Sequence, residues 1–192
     1  VAKIIGDAPR CDRQITGTGF VFAPGRIMTN AHVVAGTSSV KVELLGERYT
    51  AKVVVYDPRR DLAVLYAPKL TAPVLRTGGD ADSGDDAIVV GFPLDNPYTV
   101  GSARVRDRSD IQGPDIYQRS RVSRDVYSIR GLVRPGNSGG PLLSPDGAVY
   151  GVIFAAAVDD SDTGYVLTMD EAAPVARAGA QATSSVSTQG CD

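Results

Sequence analysis

Short apolar segments of β character, punctuated by glycine and proline, constrain this chain most. Residues 19–23, 39–45, 49–56 and 62–67 are rich in Val, Ile, Tyr and Phe and are bounded by turn residues. After the glycine- and aspartate-rich stretch at 78–85 a second set follows, at 87–91, 98–106, 116–122, 126–129, 141–143, 148–154 and 165–167. Strands this short and this regular read as barrels or sandwiches, because each needs partners along its edges. Two sets of about six strands, divided near residue 80, predict an all-β fold of two six-stranded antiparallel barrels. The division assigns 1–80 to an N-terminal barrel, 81–168 to a C-terminal barrel and 169–192 to a short helix and tail, together one folding unit. In that last region alanine is abundant over 171–180, Asp170 reads as the N-cap, and Pro174 falls in the first turn, where a missing N–H costs little. No period of about 20–50 residues recurs, which argues against a solenoid.

Composition narrows the function classes. Hydrophobic residues make up 43% and charged residues 22% of the 192, which supports a packed core and excludes wholesale disorder. The apolar run from Val152 to Val158 is far too short to span a bilayer. The first seven residues lack the basic head and apolar centre of a secretory signal. A formal charge of −2 argues against a surface built to neutralise phosphate. Eight arginines lie between Arg104 and Arg134, but Asp107, Asp110, Asp115 and Asp125 are interleaved with them. That is the pattern of a solvated strand face, so no nucleic-acid partner is expected. The two cysteines, Cys11 and Cys191, match neither a metal motif nor a redox pair. Chain ends often meet in compact domains, and the Ser/Thr-rich stretch 181–189 has little apolar surface of its own to hold it. A Cys11–Cys191 disulfide is therefore expected, and with it an oxidising compartment.

Three motifs carry chemistry. His32, the single histidine, lies in Thr29-Asn30-Ala31-His32-Val33-Val34; a histidine seen alone is more often structural than catalytic. Ser138 changes that reading, because it sits in Gly136-Asn137-Ser138-Gly139-Gly140-Pro141. Glycines free the backbone to turn tightly and to aim N–H groups inward, as a nucleophilic serine needs for the oxyanion of its transition state. Asp61 opens the apolar run Leu62-Ala63-Val64-Leu65 and can accept from one ring nitrogen of His32, fixing its tautomer. Asp57 competes for this role but precedes a proline turn, whereas Asp61 abuts a strand that would hold it rigidly.

In this order the three motifs resemble those of chymotrypsin-fold serine proteases, above all the HtrA/DegP-like branch. The resemblance covers residues 15–168. Cysteines at both ends and the arginine-rich composition are similar to one subgroup, the membrane-anchored periplasmic serine proteases of mycobacteria. The resemblance implies two chymotrypsin-type barrels with the site between them, and a serine endopeptidase that acts through an acyl-enzyme. Ser138 would be the nucleophile, His32 the general base and acid, and Asp61 its orienter, with backbone N–H groups of Gly136, Asn137 and Ser138 forming the oxyanion hole. Leu132 would form the base of the specificity pocket, with Phe154, Ala155, Ala156 and Gly164 as its walls. No carboxylate falls at that base, so selection of Arg or Lys is not expected. No metal or organic cofactor is called for. The implied partners are protein or peptide substrates of a monomer, held at the membrane by segments outside this stretch. Its place would be the periplasm, in envelope protein processing or stress resistance. A catalytically silent binding module on the same fold is the competing reading. Lys3-Ile4-Ile5-Gly6-Asp7 is similar to a zymogen activation site, but Asn137 offers no charge to a freed amino terminus, so cleavage before Ile4 is not expected to be required.

Overall fold

The computed structural model describes residues Val1–Asp192. Twelve strands form two closed antiparallel barrels. The first comprises β1 (Ala2–Ala8), β2 (Arg13–Ala23), β3 (Arg26–Thr29), β4 (Ser39–Leu44), β5 (Glu47–Asp57) and β6 (Leu62–Tyr66), in the order β1-β2-β3-β6-β5-β4. The second comprises β7 (Asp86–Gly91), β8 (Thr99–Pro114), β9 (Arg121–Arg130), β10 (Pro141–Leu143), β11 (Val149–Ala156) and β12 (Thr163–Thr168), in the order β10-β11-β12-β9-β8-β7. One helical turn, α1 (Ala31–Val34), follows β3, and α2 (Met169–Gly179) follows the second barrel.

The apolar runs follow from where the strand faces point. Along β6, Ala63 and Leu65 fill the first barrel together with Ile4, Ile27 and Val42. Leu62 and Val64 point the other way, into a cluster with Val126, Val152 and Leu167 of the second barrel and Val175 of α2. Alternate side chains thus enter different cores, and the strand reads as continuous hydrophobic sequence where a one-sided sheet would alternate. Tyr127, Ile129, Leu142 and Ile153 fill the second barrel. The barrels therefore share an apolar seam, and α2 closes it.

Several boundaries differ from the sequence reading. Strands β1 and β3 carry little local signal, since β1 has only the pair Ile4-Ile5 as large apolar residues and β3 has four residues. The stretch expected as a strand over 116–122 is mostly a turn, because the Asp115 carboxylate gathers Tyr117 N–H, Arg119 N–H and Ser120 Oγ before β9 begins at Arg121. Helix α2 starts earlier than expected. Thr168, not Asp170, is its N-cap, accepting from Glu171 N–H at 3.1 Å. Asp170 instead binds Arg108. Pro174 consequently lies past the first turn, where it removes one helical hydrogen bond.

After α2 the chain turns back across the first barrel. Val186 N–H donates to Val53 O, Gly36 N–H to Thr188 O, and Tyr117 Oη to Gly190 O. The expected Cys11–Cys191 disulfide is present, with a Cα–Cα distance of 5.8 Å.

Candidate active site

His32 lies on α1, immediately after β3, and Asp61 at the start of β6, the neighbour of β3 in the barrel. Asp61 adopts the left-handed region at φ 60°, which aspartate tolerates better than most residues. Two bonds clamp the pair: Asp61 Oδ1 accepts from His32 N–H at 3.0 Å, and Oδ2 lies 2.7 Å from His32 Nδ1. Asn30, fully buried, donates from Nδ2 to the Asp61 carbonyl at 2.8 Å. Asp57, the competing carboxylate, makes the preceding turn by accepting from the N–H groups of Arg59 and Arg60.

Burial works to lower the His32 pKa, but the charge of Asp61 and its hydrogen bond, with help from Asp192, outweigh burial and the opposing Arg13. The net direction is upward. An ionised carboxylate only accepts, so it holds the proton on Nδ1 and leaves the Nε2 lone pair free.

Ser138 comes from the other barrel, in the loop between β9 and β10. Its carbonyl accepts from Thr18 N–H of β2 at 2.9 Å, and a Cβ on Gly139 would lie 2.9 Å from Asn30 N. These contacts bring the serine loop against the segment that carries His32. Ser138 Oγ and His32 are not hydrogen-bonded to each other here. Such bonds often tighten only when a substrate is present.

The backbone of this loop is almost fully tied down. Pro135 O accepts from Leu94 N–H at 2.7 Å, Gly136 O from Thr18 Oγ1 at 2.6 Å, and Asn137 O from Gly140 N–H at 2.9 Å. In a trans peptide the N–H points opposite its carbonyl. Fixing Pro135 O and Asn137 O therefore also fixes the N–H groups of Gly136 and Ser138. Neither of those two donates a hydrogen bond within the chain, whereas Gly139 N–H donates to Ile153 O at 2.8 Å. The expectation for Asn137 needs correction. Its N–H donates to Arg134 O at 2.9 Å, so two donors remain and not three. Its side chain also stays local, accepting from Arg134 N–H at 3.0 Å. Gly136, at φ 98°, admits no side chain, since a Cβ there would lie 2.3 Å from Phe92 O.

Phe154, Ala155 and Ala156 lie near the end of β11, and Ala156 pairs with Gly164 of β12. Leu132 is half exposed and lines a cleft of about 430 Å³ with Arg104, Arg130, Asp86 and Asp162. The side chain packed on Gly164 is that of Val133, which lies 2.5 Å from where a Cβ would stand. Sequence reasoning assigned no role to Thr18, Asn30 or Val133. For Thr18 a signal existed: glycines on both sides within a strand mark a close backbone approach. No group of His, Cys, Asp and Glu is arranged to hold a metal, and no helix is long and apolar enough to cross a membrane.

Residues 17–152 match the family model of the trypsin-like peptidase domain. Serine protease Rv3671c of Mycobacterium tuberculosis is 47% identical over 175 residues, 90% of this chain and 44% of that protein. A probable periplasmic serine endoprotease, DegP-like, from Chlamydia pneumoniae is 36% identical over 166 residues, 83% of this chain and 32% of the relative. The chain thus spans less than half the length of these curated relatives. The crystal structure of the Rv3671c protease described as its active form superposes with a TM-score of 0.96 at 46% identity, covering 99% of this chain and 84% of that one. The form described as inactive gives 0.81 at 42% identity, covering 92% and 88%.

Proposed function

Since the chain belongs to the trypsin-like peptidase family, we propose that it is a serine endopeptidase in which Ser138, His32 and Asp61 form the catalytic triad. Ser138 Oγ attacks a peptide carbonyl while His32 Nε2 takes its proton, and Asp61 stabilises the imidazolium that results. The tetrahedral oxygen is received by the N–H groups of Gly136 and Ser138. His32 then protonates the leaving amine, and a water activated the same way hydrolyses the acyl-enzyme.

The observation that carries this reading is the pair of N–H groups left without partners in a loop whose other backbone N–H groups, those of Arg134, Asn137, Gly139 and Gly140, are all bonded. A merely structural turn has no reason to orient and then withhold two donors. The closer match to the form of Rv3671c described as active supports the same reading. Leu132, Phe154, Ala155, Ala156 and Gly164, with Val133 packed on Gly164, carry no charge to offer a substrate side chain, so cleavage is expected after small to medium apolar residues. The periplasmic description of the DegP-like relative and the disulfide support an extracytoplasmic location, with roles in envelope protein processing or stress resistance. Membrane attachment and work as a monomer complete the proposal.

A fluorophosphonate tests it. Labelling is expected at Ser138 and at no other serine, because only a base-activated hydroxyl is nucleophilic at neutral pH. Equal labelling of Ser138→Ala overturns the assignment.

A further inference from the structure

The oxyanion donors belong to the second barrel, yet the residue that gathers their loop belongs to the first. Thr18 is fully buried on β2, and each of its polar groups has a partner. Its N–H donates to Ser138 O at 2.9 Å, and its carbonyl accepts from Thr29 Oγ1 at 2.8 Å. Its hydroxyl does two things at once: it donates to Gly136 O at 2.6 Å and accepts from Phe92 N–H at 3.1 Å. Glycines make room for it. A Cβ on Gly91 would lie 2.7 Å from Thr18 Oγ1, and one on Gly139 would lie 2.2 Å from Thr18 O.

The two hydroxyl bonds bear on the same donor. Gly136 O belongs to the peptide that follows Gly136. Phe92 leads into the turn Pro93–Asp95, where Leu94 N–H holds Pro135 O, the carbonyl of the peptide that precedes Gly136. That turn has little stability of its own, since Leu94 and Asp95 are both at positive φ, 54° and 62°. Both peptides flanking Gly136 are therefore oriented through one hydroxyl.

From this convergence we infer that Thr18 is a positioning residue for the oxyanion hole, acting through Gly136 and the Phe92–Asp95 segment. It touches no substrate. The backbone bond from Thr18 N–H to Ser138 O would survive with any side chain, so the barrel contact does not explain the hydroxyl. The inference rests on the serine endopeptidase reading.

The test compares Thr18→Val, which keeps the shape and removes the hydroxyl, with Thr18→Ser, which keeps the hydroxyl. For Thr18→Val on a peptide substrate, kcat is expected to fall on the order of 10²-fold, the scale of losing one oxyanion donor. KM is expected to change by less than about threefold, because the donors act mainly on the transition state. Thr18→Ser is expected to restore most of kcat. A peptide aldehyde, whose adduct with Ser138 places an oxygen on the same donors, is expected to lose affinity in parallel with kcat/KM. Uncleaved peptide is expected to bind equally to Ser138→Ala with and without Thr18→Val. A merely structural role would leave the aldehyde and the uncleaved peptide weakened alike, and that result overturns the inference. An unchanged kcat in Thr18→Val also overturns it. Should Thr18→Val fail to fold, Thr18→Ala removes the same hydroxyl without adding bulk and is read in the same way. If the wild type is not labelled at Ser138 by fluorophosphonate, the endopeptidase reading fails; if wild type and Thr18→Val label at equal rates, only the positioning role fails.

Discussion

Asp61 shows how one residue settles a site's pH behaviour. Its carboxylate and hydrogen bond, with Asp192, carry the His32 pKa above the ordinary imidazole value of about 6.5 despite burial. His32 accepts a proton only when neutral, so fluorophosphonate labelling of Ser138 is expected to decline on acidification with a midpoint above that value. Asp192→Asn is expected to move the midpoint down, because it removes a charge that favours imidazolium and leaves Arg13 unpaired, which acts in the same direction. A midpoint unmoved by Asp192→Asn contradicts this account. Stability has the opposite sign. A folded-state pKa above the unfolded one gives stabilisation that is complete below about 6.5 and is lost as pH rises through the folded midpoint. At this scale the three motif residues were legible because each has a distinctive chemistry and a local signature. The role of Asn30 was not, because a buried amide announces nothing until its partner, 31 residues away, is brought beside it; the glycines flanking Thr18 mark a close approach but not what its hydroxyl binds, 118 residues away.

Among the elements, α2 and β1 carry the clearest consequences. Thr168 caps α2 and also donates to Asp125 Oδ2 at 2.9 Å. Thr168→Val is expected to cost about 1 kcal/mol or somewhat more. In thermal unfolding that is a drop of about 2–4 °C for a chain of this size, and an unchanged midpoint would show the cap to be idle. Sequence inspection placed the helix but misplaced its start, since aspartate and threonine are both good caps and only the tertiary partner decides between them. In β1, Ile4 is fully buried and paired with Gly17 and Val42, while Lys3 pairs opposite Thr18 and reaches Asp95 in the turn that holds Pro135 O. Cleavage before Ile4 is therefore expected to lower peptide hydrolysis; a gain in activity after such a cut would mean that a freed terminus activates the enzyme after all. The short strand β3 and the terminal strand β1 escaped the sequence reading for one reason. Their place is set by neighbours in the barrel, not by a long local pattern.

For the molecule as a whole, the all-β, two-barrel fold was readable because strand spacing and turn residues are local. The closure of each barrel and the return of the tail were not, since they join residues far apart in sequence. The disulfide spans 180 residues. The loop-entropy relation gives about 5 kcal/mol for such a span, an upper value because native strain and residual structure reduce it. The same bridge decides how the molecule carries mechanical load. Tension applied at Val1 and Asp192 runs along β1 to Cys11, crosses to Cys191 and leaves, so Asp12 to Gly190 lie outside the covalent load path and feel the force only through the ladders of β1 with β2 and β4. In a single-molecule pulling experiment the oxidised protein is expected to extend by only about 35 Å, the length of some ten residues. The reduced protein should continue to roughly 650 Å, the contour length of the chain. A non-reduced molecule that extends to the full contour length would show that the bridge is not formed. β1 is thus expected to act as a mechanical fuse, and its neighbour across the ladder is the strand that holds Thr18.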